Sequence, residues 1–187
     1  MKIYTRIATC CTLVLFLLLL AQPLTAMNAV NEKQSAENQP TARKYRIAYC
    51  ETEPWVNYAG TLYGLVKALE SSGWINNSDG LVYSEGQSDT GNMWKWLSNP
   101  DVSSQLEFVG DGHYTLSSMS AEEKEAMLAR LAQQEDIDLV IAMGTAAGVL
   151  LASDRHSVPV MVFSTSNAVR SGIIESEQDS GSDHVWA

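Results

Sequence analysis

Two near-continuous apolar runs govern what this chain can fold into: Leu139-Val140-Ile141-Ala142-Met143, entered through Asp138, and Val158-Pro159-Val160-Met161-Val162-Phe163. A strand with one wet face alternates apolar and polar residues. Unbroken runs of this length therefore predict strands covered on both faces, the condition of a parallel sheet wrapped by helices. Strand and helix signals alternate around them. Tyr45-Arg46-Ile47-Ala48-Tyr49-Cys50 is a short β-prone run ending at the turn-forming Glu51-Thr52-Glu53-Pro54. Leu62, Leu65, Val66 and Leu69 then recur at helical spacing up to the stop at Gly73. Leu106-Glu107-Phe108-Val109 predicts a strand closed by a sharp turn at Gly110-Asp111-Gly112. Ser120, with Glu123 three residues on, forms a capping-box pattern, and Met127, Leu128 and Leu131 supply the buried stripe of the helix behind it. Gly144-Thr145-Ala146-Ala147-Gly148 opens another helix, and Ile173-Ile174 reads as a last short strand.

This alternation predicts an α/β fold with three layers, a Rossmann-like parallel sheet of order 2-1-3-4-5 whose crossovers are right-handed. Ligands of such sheets lie beyond the carboxyl ends of the strands, at the switch point between strands one and three. That rule selects residues 50–58, 144–148 and 164–167. At the second, Thr145 and the amides of Gly144 and Ala146 suit a carboxylate, although a tight packing turn would look the same. At the third, Ser164, Thr165, Ser166 and Asn167 add donors and acceptors, or form a plain polar turn. At the first, Glu53 suits a ligand amine and Trp55 an aromatic wall, or the segment is a surface loop with an incidental Trp.

Residues 1–26 have the three parts of a secretory signal peptide: basic Lys2 and Arg6, an apolar run over 7–21, and Gln22-Pro23-Leu24-Thr25-Ala26. The run is short of the roughly 20 residues that cross a bilayer as a helix. Cleavage near Ala26 and a periplasmic or secreted location are expected. Residues 27–42 are polar and aperiodic and read as a disordered spacer before an α/β lobe over 43–174. Loss of the leader takes 2 of the 12 basic residues and leaves 22 acidic ones, a net charge near −12. Such a surface repels phosphate backbones, so no nucleic-acid partner is expected. Its densest basic run, Arg43, Lys44 and Arg46, reads as a solvated strand flank.

Catalytic chemistry finds little foothold. His113, His156 and His184 lie on separate segments without metal-ligand spacing, no G-x-S-x-G elbow, Walker lysine or G-x-G-x-x-G occurs, and no cofactor or metal is expected. Cys50 is the one cysteine after the leader, so no intrachain disulfide forms, and a buried packing role suits it better than a nucleophile's. Trp94 and Trp96 read as cover over a sheet edge.

Taken in order, several segments resemble one family. These are residues 49–55 (Tyr-Cys-Glu-Thr-Glu-Pro-Trp), 69–75 (Leu-Glu-Ser-Ser-Gly-Trp-Ile), 136–148, Val158-Pro159-Val160 running to Ser164, 172–176 and 179–185. Together they are similar to the amino-terminal lobe of periplasmic substrate-binding proteins of ABC transporters, of the type I two-lobed fold. The resemblance spans about residues 43–187. Where that family has Asp-Pro after the serine turn, this chain has Asn167-Ala168. It implies a binder, not an enzyme, that closes two lobes on an amino-acid-like or carboxylate solute and delivers it to an inner-membrane permease. It also implies that residues 175–187 begin a crossover toward a second lobe, whose absence would leave a face open to self-association. A standalone sensor or partner-interaction module, and a thiol-dependent enzyme using Cys50, are the alternatives.

Overall fold

The structure, a computed structural model, describes residues 43–133 and 135–187. The leader and spacer expected over 1–42 lie outside the described residues.

A five-stranded sheet of order β2-β1-β3-β4-β5, parallel throughout, organises these residues. In chain order they form β1 (Tyr45–Glu51), α1 (Val56–Ser71), α2 (Gly91–Leu97), β2 (Leu106–Thr115), a 3-10 turn (Leu116–Ser118), α3 (Ala121–Gln133), β3 (Leu139–Met143), α4 (Thr145–Leu151), β4 (Val160–Phe163) and β5 (Val185–Trp186). The expected α/β Rossmann-like lobe is what forms. Alternate residues of the central strands enter two separate cores, which is why their apolar runs are unbroken. Ile47, Tyr49, Ile141 and Met143 pack with Leu62 and Val66 of α1 and with Met93, Trp94 and Leu97 of α2. Ala48, Cys50, Val140 and Ala142 pack on the other side with Met127, Leu128 and Leu131 of α3 and Leu151 of α4.

Three features differ from the sequence reading. The strand at Leu106 does not stop at Gly110-Asp111-Gly112. Between the pairs Ile47 with Phe108 and Tyr49 with His113, the single residue Ala48 is opposed by residues 109–112, so the glycine-rich segment is a wide bulge inside β2. Side chains hold it from both faces: Trp94 Nε1 donates to Val109 O at 2.9 Å, and Arg130 of α3 reaches Asp111 Oδ1 at 3.0 Å and Tyr114 Oη, just beyond the bulge, at 2.9 Å. Trp94 is thereby core, edge-on to Phe108.

Ile173-Ile174 is not a strand either. The turn at Gly172 (φ +71°) takes the Ile173 amide to Ala168 O at 2.9 Å, and the Ile173 side chain packs over α4. A β carbon on Gly148 would sit 2.7 Å from Ile173 Cδ1 and 2.8 Å from Val162 Cγ1, so Gly148 is what lets α4 approach. The last strand lies beyond the expected lobe limit of 174. Residues 175–187 return to the sheet, where β5 pairs Val185 with Val160 and Trp186 with Met161. Met161 and Trp186 stay exposed on the α1 side of this edge.

The basic run at 43–46 is tied down locally. Arg43 and Arg46 both pair with Asp138, and Lys44 donates to the carbonyls of Pro100 and Ser103. Among the described residues, no helix is long and apolar enough to cross a membrane.

Candidate functional site

The carboxyl ends of β1, β3 and β4 converge on one polar edge. β1 hands the chain to Thr52, whose amide donates to Met143 O at 3.0 Å and whose hydroxyl accepts the Ala147 amide at 3.2 Å. One residue thus fastens the β1 turn both to the end of β3 and to the first turn of α4. Gly144 makes the strand-to-helix bend at φ +90° and ψ 167°, a conformation costly for any residue with a β carbon. The space such a carbon would take is filled by the Tyr58 hydroxyl of α1 and by Thr52 Oγ1. Two further hydroxyl contacts stitch the edge to β4: Thr145 Oγ1 meets Thr165 Oγ1 at 3.1 Å, and Thr61 Oγ1 meets Ser164 Oγ at 3.1 Å. Ser164 holds φ +54°, a left-handed backbone uncommon outside glycine.

The residues selected from the sequence divide into three groups. Thr145, Ser164 and Thr165 form the hydroxyl cluster with Thr61. Glu53 and Ala146 line a crevice of about 360 Å³ with Thr52, Leu116, Ser117, Leu150 and Lys124 of α3. The others stand apart. The Gly144 amide, expected to face a carboxylate, is spent on Phe163 O at 2.9 Å, because Gly144 still belongs to the β3–β4 ladder. Asn167 Oδ1 accepts the Arg170 amide at 2.7 Å and so closes its own turn, while Ser166 is exposed. Trp55 precedes α1 and is half exposed at the rim; its carbonyl accepts the amides of Tyr58 and Ala59.

Sequence reasoning missed Glu51. This carboxylate closes β1 and is 1% exposed, and no cation pairs with it among the described residues. Three hydroxyls serve it instead: Tyr49 Oη at 3.0 Å and Thr90 Oγ1 at 2.9 Å donate to Oε2, and Thr115 Oγ1 at 3.0 Å donates to Oε1. Burial raises its pKa, and these same hydrogen bonds oppose the rise. Thr90 occupies the N-cap of α2 yet makes no capping bond; Asp89 reaches the Gly91 amide instead, at 3.3 Å. The Thr90 oxygen also meets His113 Nε2 at 2.9 Å, so a donor to Glu51 is at the same time an acceptor for a ring N–H. His113 stacks on Tyr49 with centroids 5.2 Å apart, and burial lowers its pKa. The readable signal was a cap-forming Asp89-Thr90-Gly91 carrying one polar group more than a cap needs.

Cys50 faces the α3 and α4 core with no exposure, and burial pushes its thiol up to about 12, the Glu51 charge adding to the effect. It holds no thiolate at neutral pH. Among the described residues, no three His, Cys, Asp or Glu side chains gather as metal ligands. Compared with protein-family models, curated proteins and solved structures, the chain finds no match. Fold and edge geometry alone carry the functional reading.

Proposed function

We propose that this chain is the ligand-binding lobe of a secreted substrate-binding component of an ABC transporter, taking an amino-acid-like or carboxylate solute at its carboxyl edge. One observation carries the reading. The crevice at the carboxyl ends of β1 and β3 places Glu53 and Lys124 on the walls of a single 360 Å³ space, at the position where sheets of this order bind ligands. An acid and a base in one small crevice match the two charges of a zwitterion, and Lys124 takes over the carboxylate role that the Gly144 amide cannot fill. The hydroxyls of Thr145, Thr165 and Ser164 extend the polar edge toward β4. A single lobe supplies one wall of a closing cleft, so affinity on the order of 1 mM is expected, about 4 kcal/mol of binding free energy.

The test is a thermal-shift and calorimetric screen of the full chain against the twenty standard amino acids and a set of mono- and dicarboxylates. At tenfold excess over Kd, a true ligand adds about 1.4 kcal/mol of stability. Lys124→Met should abolish the response to carboxylates, and Glu53→Gln the response to amines, with melting temperatures of the free variants unchanged. A screen in which no compound acts, or one in which both variants keep the full response, rejects the proposal.

A further inference from the structure

Far from the polar edge, at the amino ends of β4 and β5, two histidines are sealed together. His156 lies in the loop before β4 and His184 immediately before β5, and they are 6% and 8% exposed. Their rings meet edge to face with centroids 5.3 Å apart. His184 Nδ1 contacts Ser182 Oγ at 3.0 Å, but His184 Nε2 and both ring nitrogens of His156 are buried without a hydrogen-bond partner. A neutral imidazole must carry one N–H donor and one bare acceptor, so this arrangement already forgoes hydrogen bonds. A second proton would add a desolvated charge beside another imidazole.

The geometry points to an acid-operated clasp: protonation of His156, sealed against His184, detaches β5 from β4 and leaves the rest of the sheet standing. The attachment is slight. β5 is two residues long, and the Val160 amide reaches it through the His184 carbonyl itself, at 2.7 Å. No carboxylate of the described residues is among the groups that act on His156; the backbone at Val158 and Leu151 favours an imidazolium less than burial and His184 oppose it. Among the described residues His184 is the one titratable group that acts on His156. Neighbouring Arg155 turns out to pair with Glu125, and Asp154 and Asp183 are exposed. Burial first, and His184 second, hold His156 below its ordinary value, against a weaker pull from the backbone at Val158 and Leu151. The sign follows from that direction. The unfolded chain takes up a proton near 6.5 and the folded chain only lower, so stability from this site is full above about 6.5 and lost as pH falls through the folded value.

The experiment is an NMR titration of the isotope-labelled full chain from pH 7.5 to 5.0. It follows the His156 ring shifts together with exchange protection of two amides at the two ends of β4: Val160, which opens the strand and donates to His184 O, and Gly144, which follows β3 and donates to Phe163 O at the other end. Val160 protection should fall by up to tenfold per unit of pH between about 6.5 and the His156 midpoint, the response of a single proton, and level off below it, while Gly144 protection holds. His156→Gln should flatten the Val160 response, and His184→Gln serves the same purpose if that variant does not fold. A His156 midpoint at or above 6.5, an unchanged Val160 amide, or equal losses at Val160 and Gly144 would each overturn the clasp. The wild-type titration alone suffices to decide.

Discussion

The Tyr58 hydroxyl stands where residue 144 would carry its β carbon, so helix α1 and the end of β3 interlock through the missing side chain of Gly144. Thr52 Oγ1 closes the same space from β1, 2.8 Å from that position. Gly144→Ala therefore combines a clash with a backbone conformation that alanine rarely adopts. It should cost about 3 kcal/mol in urea unfolding and disorder the polar edge. In a Tyr58→Ala background most of the steric part vanishes, and the further cost of Gly144→Ala should shrink to about 1–2 kcal/mol. Equal costs in both backgrounds would show that the interlock contributes nothing.

Glu51 presents the opposite case, a side chain that is present but poorly hosted. With its pKa raised by burial, the fold holds this proton at pH values where the unfolded chain has released it. Stability from Glu51 is thus full below the usual carboxyl value of 4.5 and lost as pH rises through the folded value. Glu51→Gln keeps the shape. Its amide can donate to Tyr49 Oη and Thr90 Oγ1 while its oxygen accepts from Thr115, and Thr90 is then free to donate to His113. The variant should be more stable than the parent at pH 7, by about 1 kcal/mol, with the gap closing as pH falls through the folded Glu51 value toward 4.5. A variant less stable at pH 7 would mean the ionised carboxylate is the form the network was built around.

What was legible in the sequence tracks how local the cause is. The strands β3 and β4 announce themselves because burial on two faces leaves no polar residue to interrupt them, and with them the sheet order. The Ser120–Glu123 box and the stripe behind it are contained within one helix. β5 was hidden, since two residues flanked by Ser182, Asp183 and Ala187 carry no strand period, and only the β4 edge recruits them. The continuation of β2 was hidden by glycines at 110 and 112, because a turn and a wide bulge need the same backbone freedom. At the site, Thr145 and Ser164 were legible from the strand-end rule. The fate of the Gly144 amide and the partners of Glu51 were not, since Thr90 and Thr115 lie 39 and 64 residues away, Thr115 meeting it through the register of β1 with β2 and Thr90 through the placing of the α2 N-cap beside His113 of β2.

The capping box allows a clean measurement of one helix end. Glu123 N donates to Ser120 Oγ at 3.2 Å and Ser120 N to Glu123 Oε2 at 2.7 Å, so two otherwise orphaned amides are satisfied reciprocally. Ser120→Ala should cost about 1 kcal/mol and Ser120→Asp almost nothing, because the aspartate replaces the acceptor and favours the helix dipole. Urea midpoints for the two variants decide it, and an alanine variant as stable as the aspartate one would place the helix start elsewhere.

Cys50 turns the question of thiol chemistry into a kinetic one. Its sulfur lies in the core between β1 and the helices α3 and α4, with burial and the neighbouring Glu51 both disfavouring the thiolate. Alkylation by iodoacetamide at pH 8 then requires the core to open first, so its rate follows the population of open states rather than the chemistry of an exposed thiol. Peptide mass spectrometry separates Cys50 from Cys10 and Cys11, and labelling at Cys50 should rise in step with urea unfolding. Cys50→Ala should leave the ligand response untouched. Labelling of the native chain at the speed of a free thiol would show that this core admits solvent and reagent, and would restore Cys50 as a candidate nucleophile.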